Sequence, residues 1–317
     1  MNVASQNLRL TSRTSAALAA LGIAATFVSG CAPGYSGQGS IQALGGGGSL
    51  EPTVAVKLDA VAAPEAAAGA ESEAAVAGYG TVSGRVVLEG SPPALSPLLP
   101  GGELRDPNAC VRDQIPDYRI VVGPNNGLAN VFVFLPRKPA GTKAEAAAPP
   151  AEAVLFDQKF CTFKPHTLVC RAGQTIKVLN SDPVTHNTNT KPKSNTSFNS
   201  AVKAGEQEGL PFVYKKGERE PVRVVCDFHA WMLAWHLPLD HPYGAVTGED
   251  GTFTIADVPA GKHKFAVWHE GKKVGDYSVE VKPNETTPLD ITINSTSLAA
   301  RSDSPPTKSV ILSFGAP

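Results

Sequence analysis

The sequence predicts an all-β protein, and three observations lead there. Short runs alternate apolar and polar residues with period two, turn residues separate those runs, and 30 glycines and 27 prolines supply the punctuation. At 317 residues the chain has room for two domains plus some unfolded sequence. Net charge is −1, 18% of residues are charged, and no Lys/Arg cluster stands out. The electrostatic footprint that nucleic-acid binding requires is missing, so nucleic acid is not expected as a partner.

The N-terminal segments follow an order that points to export. Arg9 and Arg13 precede an apolar run from Ala16 to Val28, too short to span a bilayer but suited to a secretory signal over residues 1–30. The run ends in Val28-Ser29-Gly30-Cys31, which resembles the lipobox of bacterial lipoproteins. The resemblance implies that Cys31 is acylated and becomes the first mature residue. Ala32 follows, so the aspartate linked to inner-membrane retention is absent, and an outer membrane or cell surface is favoured. Residues 31–77 are rich in Gly, Ala, Ser and Glu with few large apolar side chains, and read as a disordered tether. The expected location is extracytoplasmic and membrane-anchored, where disulfides persist.

Strand signals then come in order. Val82, Gly84, Val86 and Leu88 share one face, as do Val131, Val133 and Leu135. Lys138 to Ala151, with Pro139, Gly141 and Pro149-Pro150, reads as a long loop or linker. Beyond residue 243, Gly248-Glu249-Asp250-Gly251 and Val258-Pro259-Ala260-Gly261 mark turns around Phe253 and Ile255. Alternation returns at Phe265/Val267, Tyr277/Val279/Val281 and Leu289/Ile291/Ile293. His263 shares the face of Phe265, Val267 and His269. Residues 296–317 form a tail with no assigned element.

Taken together, Thr81 to Val86, Leu128 to Val133, Thr247 to Gly261 and Val267-Trp268-His269-Glu270-Gly271 resemble a carboxypeptidase regulatory-like (transthyretin-like) β-sandwich. In that family the second strand and the hairpin follow closely. Here about a hundred residues separate them, so a second domain is expected between the halves 78–153 and 243–295.

Residues 154–242 hold the informative chemistry. Leu168 to Gln174, Ile176 to Asn180, then Ser181-Asp182-Pro183-Val184-Thr185-His186-Asn187 are similar to the cupredoxin succession of strand, Ala-Gly turn, strand and His-Asn loop. Val222 to Val225 then lead into Cys226-Asp227-Phe228-His229-Ala230-Trp231-Met232, whose Cys-x-x-His-x-x-Met spacing is similar to the short ligand loop of amicyanin. The resemblance implies a Greek-key sandwich with one mononuclear type 1 copper site of His186, Cys226, His229 and Met232. A thiolate and two imidazoles with a weak thioether suit copper in both oxidation states, whereas zinc accepts Cys and His but makes little use of a thioether. The resemblance further implies that Asn187 ties the two ligand loops together, and that His229 reaches the surface as electron port within an apolar docking patch of Phe228, Ala230 and Trp231.

With Cys31 and Cys226 assigned through these resemblances, Cys110, Cys161 and Cys170 remain. Cys170 lies on the inward strand face where cupredoxins carry an aliphatic residue, which favours a buried free thiol. Cys110–Cys161 is then the expected disulfide, with Cys161–Cys170 as the competitor. His166, His236, His241 and His269 form no tight metal motif and read as surface or hydrogen-bonded residues. No Ser/His/Asp order, paired carboxylates or phosphate loop is evident, so hydrolytic catalysis is not expected.

The sequence therefore leads to a lipid-anchored copper protein that exchanges electrons transiently with an unidentified redox partner. Two other readings stand beside it: a copper-holding or copper-delivering lipoprotein, and an envelope scaffold or adhesion protein that works through the outer sandwich. Mass spectrometry of the mature N-terminus tests the anchor. An acylated Cys31 is the expected result, and an unmodified Cys31 or cleavage elsewhere would remove the lipoprotein assignment.

Overall fold

A computed structural model describes residues 77–98 and 104–302. The signal segment, Cys31, the tether and the last fifteen residues of the tail lie outside the described residues. Two antiparallel-rich β-sandwiches emerge, the second inserted into the first. The outer one begins with β1 (Tyr79–Glu89) and β2 (Phe132–Phe134). The insert supplies β3 (Val154–Lys159), β4 (Thr162–Lys164), β5 (Thr167–Arg171), β6 (Thr175–Asn180), β7 (His186–Lys191), β8 (Asn199–Val202), β9 (Leu210–Val213), β10 (Val222–Val225) and β11 (Leu233–Leu239). The outer sandwich resumes with β12 (Gly244–Val246), β13 (Thr252–Pro259), β14 (Gly261–His269), β15 (Lys272–Val281), β16 (Thr286–Pro288) and β17 (Ile291–Asn294). Two short helices flank the sheets, α1 (Ala144–Ala147) and α2 (Ser295–Ser302). Among the described residues no helix is long and apolar enough to cross a membrane.

In the outer sandwich β1 pairs with β13, β16 and β17, and faces a sheet of order β12-β2-β14-β15. The alternating residues read from sequence meet between them: Val82, Val86, Leu88, Val131, Val133, Leu135, Phe265, Val267, Ile291 and Ile293 are buried in one core. Leu298 of α2 closes onto the same core, so the helix fills the start of the segment that the sequence marks as tail. Gly251 fits its turn because its φ is +80° and a Cβ would lie 2.2 Å from the Val86 carbonyl oxygen. The insert stacks β4-β3-β6-β9 on β5-β11-β10-β7-β8. Its core contains Phe156, Phe163, Ile176, Val178, Val224, Met232 and the free thiol of Cys170, whose pKa burial pushes up to about 12.

Alternation along β2 predicts one buried face, yet Phe132, Val133 and Phe134 are all buried. Val133 serves the outer core, while Phe132 and Phe134 pack with Ala266 against Leu237 and Leu239 of the insert. Each such phenylalanine removed from water contributes about 1.5–3 kcal/mol, so the two sandwiches are joined by a true apolar layer. The turn after β14 tightens that joint. Glu270 accepts hydrogen bonds from His166 Nε2 at 2.7 Å and Trp235 Nε1 at 3.4 Å, and a Cβ on Gly271 would lie 2.0 Å from the Trp235 ring.

His236 shows the cost of a polar group in the insert's core. It is fully buried among Phe156, Phe212 and Tyr214, with Nδ1 bonded to the Tyr214 hydroxyl at 3.2 Å and Nε2 without a partner among the described residues. Burial pulls its pKa from 6.5 down to about 3. The unfolded chain takes up a proton below 6.5 that the folded one refuses until about 3, so this contribution to stability is complete at neutral pH and declines through that window. The decline amounts to at most about 1.4 kcal/mol per pH unit. His236→Phe should therefore lose less stability than wild type between about pH 7 and about pH 4.5, measured by urea unfolding at each pH. Equal losses in the two proteins would contradict the assignment.

Candidate metal centre

Three donors converge at one end of the insert. His186 opens β7, and Cys226 follows β10 directly and begins the loop to β11. Backbone hydrogen bonds shape that loop: Met232 N–H donates to the His229 carbonyl at 2.9 Å, and Cys226 N–H to the Met232 carbonyl at 3.3 Å. Seven residues thereby close on themselves, which places Cys226, His229 and Met232 at one end of the sandwich. His186 Nδ1 lies 2.8 Å from His229 Nδ1, and Cys226 Sγ lies 3.6 Å from His229 Nδ1. The donor atoms of His186, Cys226 and His229 all fall within 4.8 Å of one another. All three residues are buried, and Met232 is buried beside Cys226 in the same core.

Proton bookkeeping shows what this arrangement requires. Both Nε2 atoms face carboxylates: His186 Nε2 donates to Asp182 Oδ2 at 2.9 Å, and His229 Nε2 to Asp106 Oδ2 at 3.0 Å. Each ring therefore carries its hydrogen on Nε2 and turns an Nδ1 lone pair inward. Two lone pairs cannot rest 2.8 Å apart with a thiolate beside them unless a cation lies between, either a proton or a metal ion that all three bind. A metal held at trigonal angles by two imidazole nitrogens and a sulfur separates those donors by about 3.5–3.8 Å. The Sγ–Nδ1 distance of 3.6 Å falls inside that range, whereas the Nδ1–Nδ1 distance of 2.8 Å is about 0.7 Å shorter and is the spacing of a shared proton, so the two rings would move apart to take a metal. His186, Cys226 and His229 make a His₂Cys donor set, and Met232 is buried in the same core, a composition that suits copper better than zinc.

Electrostatics point the same way. Burial pushes the Cys226 thiol up, but the His186 and His229 imidazoles beside it, with a proton held between them, and the Asn187 N–H at 3.4 Å outweigh it and bring the pKa down to about 6. The thiolate prevails at neutral pH, ready for a metal. Burial opposes charge on His186 as well, yet Asp182 and Cys226 beside it raise its pKa. Asp182 is held below the usual carboxylate range, because bonds from His186 and from the Cys161 and Phe160 N–H groups exceed its own desolvation.

Asn187 lies between the two ligand segments. Besides its N–H on the thiol, its Oδ1 accepts from the Asp227 N–H and its Nδ2 donates to Asp227 Oδ2 at 2.9 Å. Asn189 donates to the same carboxylate oxygen at 2.7 Å.

The expectation that His229 reaches the surface is corrected by the structure. His229 is 0% exposed. Arg105 and Asp106, from the connection between β1 and β2, lie against it and its loop. Asp106 takes its Nε2, and the Arg105 guanidinium sits 4.9 Å above the Phe228 ring. Trp231 meets the His229 ring edge-on at 5.0 Å and donates its indole N–H to the Cys161 carbonyl at 3.0 Å. Of the expected patch only Ala230 is fully exposed; Phe228 and Trp231 are half-buried.

Three residues that the sequence did not single out for this site organise it. Cys161 is disulfide-bonded to Cys110, its carbonyl receives Trp231, and its N–H donates to Asp182 at 2.8 Å. Phe160 and Cys161 form a two-residue turn between β3 and β4 with φ of +58° and +53°, a conformation that favours glycine or asparagine. The Asp182 carboxylate, accepting both N–H groups, holds that turn. Asp182 stands four residues before His186, a local cue; Asp106 and Cys161 have none. Among the described residues His241 and His269 are buried and belong to no donor cluster, and the only other grouping, Cys161 with Asp182 and His186, lies at the rim of this same centre and has its sulfur committed to the disulfide.

No family model matches the chain, and no curated protein does. Solved structures share part of it. A purple cupredoxin from Nitrosopumilus maritimus is 18% identical over 27% of this chain and 98% of its own, with a TM-score of 0.23. A copper-containing nitrite reductase from Thermus scotoductus is 17% identical over 32% of this chain and 27% of its own, at 0.26. Amicyanin from Paracoccus versutus is 16% identical over 33% of this chain and 96% of its own, at 0.24. At these values the likeness carries no statement about function, and the metal centre rests on its own geometry.

Proposed function

We propose that this chain is a type 1 copper protein, held by a lipid anchor outside the cytoplasm, that exchanges single electrons and makes or breaks no substrate bonds. The observation that carries this reading is the convergence of His186 Nδ1, His229 Nδ1 and Cys226 Sγ, with both Nε2 atoms tied to carboxylates. Copper bound there would supply one-electron exchange between Cu(I) and Cu(II). The protein's own part is to keep the donors in place: Asp182 and Asp106 fix the imidazoles, Asn187 and Asp227 hold the two ligand segments together, and burial excludes water. A rigid donor set of this kind leaves little to rearrange when the charge changes. Export is supported by the Cys110–Cys161 disulfide, which suits an oxidising compartment. The Asp250-Gly251 turn and the pairing of the following strand β13 with β1 support the carboxypeptidase regulatory-like reading of the outer sandwich, although β13 and β14 cross between the two sheets and do not form the hairpin that the resemblance implies.

One observation favours a second reading. His229 is covered, and a covered centre retains its metal, so a copper-holding role is consistent with the same site. Reduction by a small donor separates the two: a carrier cycles reversibly, whereas a holding protein gives its copper to an acceptor.

The test is the visible spectrum of the full chain loaded with Cu(II). Wild type should show a strong thiolate-to-copper absorption, which should vanish in Cys226→Ser. Stoichiometric copper in a colourless wild-type protein would overturn the type 1 assignment.

A further inference from the structure

The contact between Asp106 and His229 joins residues 123 positions apart and belonging to different sandwiches. It is not a chance meeting of surface groups, because three separate features direct it. Asp106 adopts a left-handed conformation with φ of +53°, and its carbonyl accepts the N–H groups of Ala109 at 2.9 Å and Cys110 at 2.8 Å. This turn aims the carboxylate away from the segment's own backbone. Four residues on, Cys110 is bonded to Cys161, and both sulfurs are buried, so the segment is tied to the rim of the metal centre itself. Arg105 lies across Phe228 on the ligand loop. Beyond Gln114 the chain returns to its own sandwich, where Ile120 and Val122 pack on the outer core and Asn130 Nδ2 donates to the Tyr118 carbonyl at 3.3 Å.

We propose that residues 104–114 are a built-in cap over the centre, in which Asp106 is a positioning residue for His229 and occupies the place where an external ligand or partner would reach that imidazole. The inference rests on the reading of His186, Cys226 and His229 as a metal centre. Its physical basis is simple. An imidazole whose Nε2–H is held by a carboxylate cannot swing out of the site without breaking a charge-assisted bond, and the cap removes the solvent that would replace it. Because the Asp106 side chain is 38% exposed, the bond is partly screened, and the disulfide rather than the ion pair keeps the cap in position. The outer sandwich thereby decides how openly the inner one presents its metal. Exchange with the surroundings passes through Asp106 and Arg105 or waits for the cap to move.

Carbethoxylation of histidines in the metal-free full chain, read peptide by peptide, tests this without using copper. His263, half-buried on β14, is the reactive reference, and fully buried His236 reports an intact fold. Wild-type His229 should react at least about tenfold more slowly than His263, the factor expected when a hydrogen bond to a charged group must open first. Asp106→Gly keeps the left-handed turn without the carboxylate and should raise the rate at His229 about tenfold with His236 still protected. Asp106→Asn retains an oxygen acceptor and should stay near wild type, a rescue that general loosening would not give. Asp106→Ala is made in parallel should the glycine variant lose His236 protection. The cap is overturned if wild-type His229 reacts as fast as His263, or if removing the carboxylate changes nothing in a folded protein. A colourless copper-loaded wild type with His229 still protected would instead overturn the copper reading and leave the cap standing.

Discussion

Cys161 is the point through which the metal centre and the two sandwiches act on one another. Its sulfur reaches Cys110 of the outer connection, its N–H reaches Asp182 behind His186, and its carbonyl receives Trp231 beside His229. The disulfide closes a loop with a sequence separation of 51 residues. Loop-closure entropy of that order is worth about 4 kcal/mol in the chain-entropy account. That constraint also bears on position: Cys110 is anchored at the rim, and Asp106, four residues before it, lies on His229. Both histidines are thus oriented by carboxylates that depend on the same hairpin, Asp182 by accepting its N–H groups and Asp106 through the disulfide.

The joint between the sandwiches makes the cap possible. An insert tethered by two flexible links would sample many orientations, and a connection from the outer domain could not be held at a fixed distance from a metal site. Here Phe132 and Phe134 bury the second face of their sheet against Leu237 and Leu239, and Glu270 binds His166 and Trp235 at the edge of that layer. The outer sandwich therefore presents Arg105 and Asp106 beside the ligand loop. Elements far apart in the chain share one site because an apolar layer removes the freedom between them.

The balance of charge within the site follows from burial. A thiol, two imidazoles and two carboxylates in so small a volume would be costly if they were ionised independently. They are arranged instead in sequence: carboxylate, imidazole, imidazole, carboxylate, with the thiol beside the two facing nitrogens, where a proton or a metal ion would complete the alternation of charge. Each group stabilises the charge of the next. Cys170 makes the contrast clear, since a thiol buried without such neighbours has its pKa pushed up to about 12 and stays inert.

The sequence by itself determined what is local. Period-two alternation marked the strands, the turn residues bounded them, and the loop from Cys226 to Met232 was legible through its resemblance to a short cupredoxin ligand loop, of which the structure brings Cys226 and His229 together with His186. His186 came only from the resemblance of its His-Asn loop to the cupredoxin succession. What only the tertiary structure decided are relations between distant residues: that β2 is buried on both faces, that the Phe160–Cys161 turn is held by Asp182, and that Asp106 lies on His229. No pattern in the neighbourhood of Asp106 marks it, because its role depends on a disulfide and an interdomain layer rather than on its neighbours in sequence. For the same reason a histidine expected at the surface is buried. Exposure is a property of what folds over a residue, and the segment that covers His229 is encoded more than a hundred positions away.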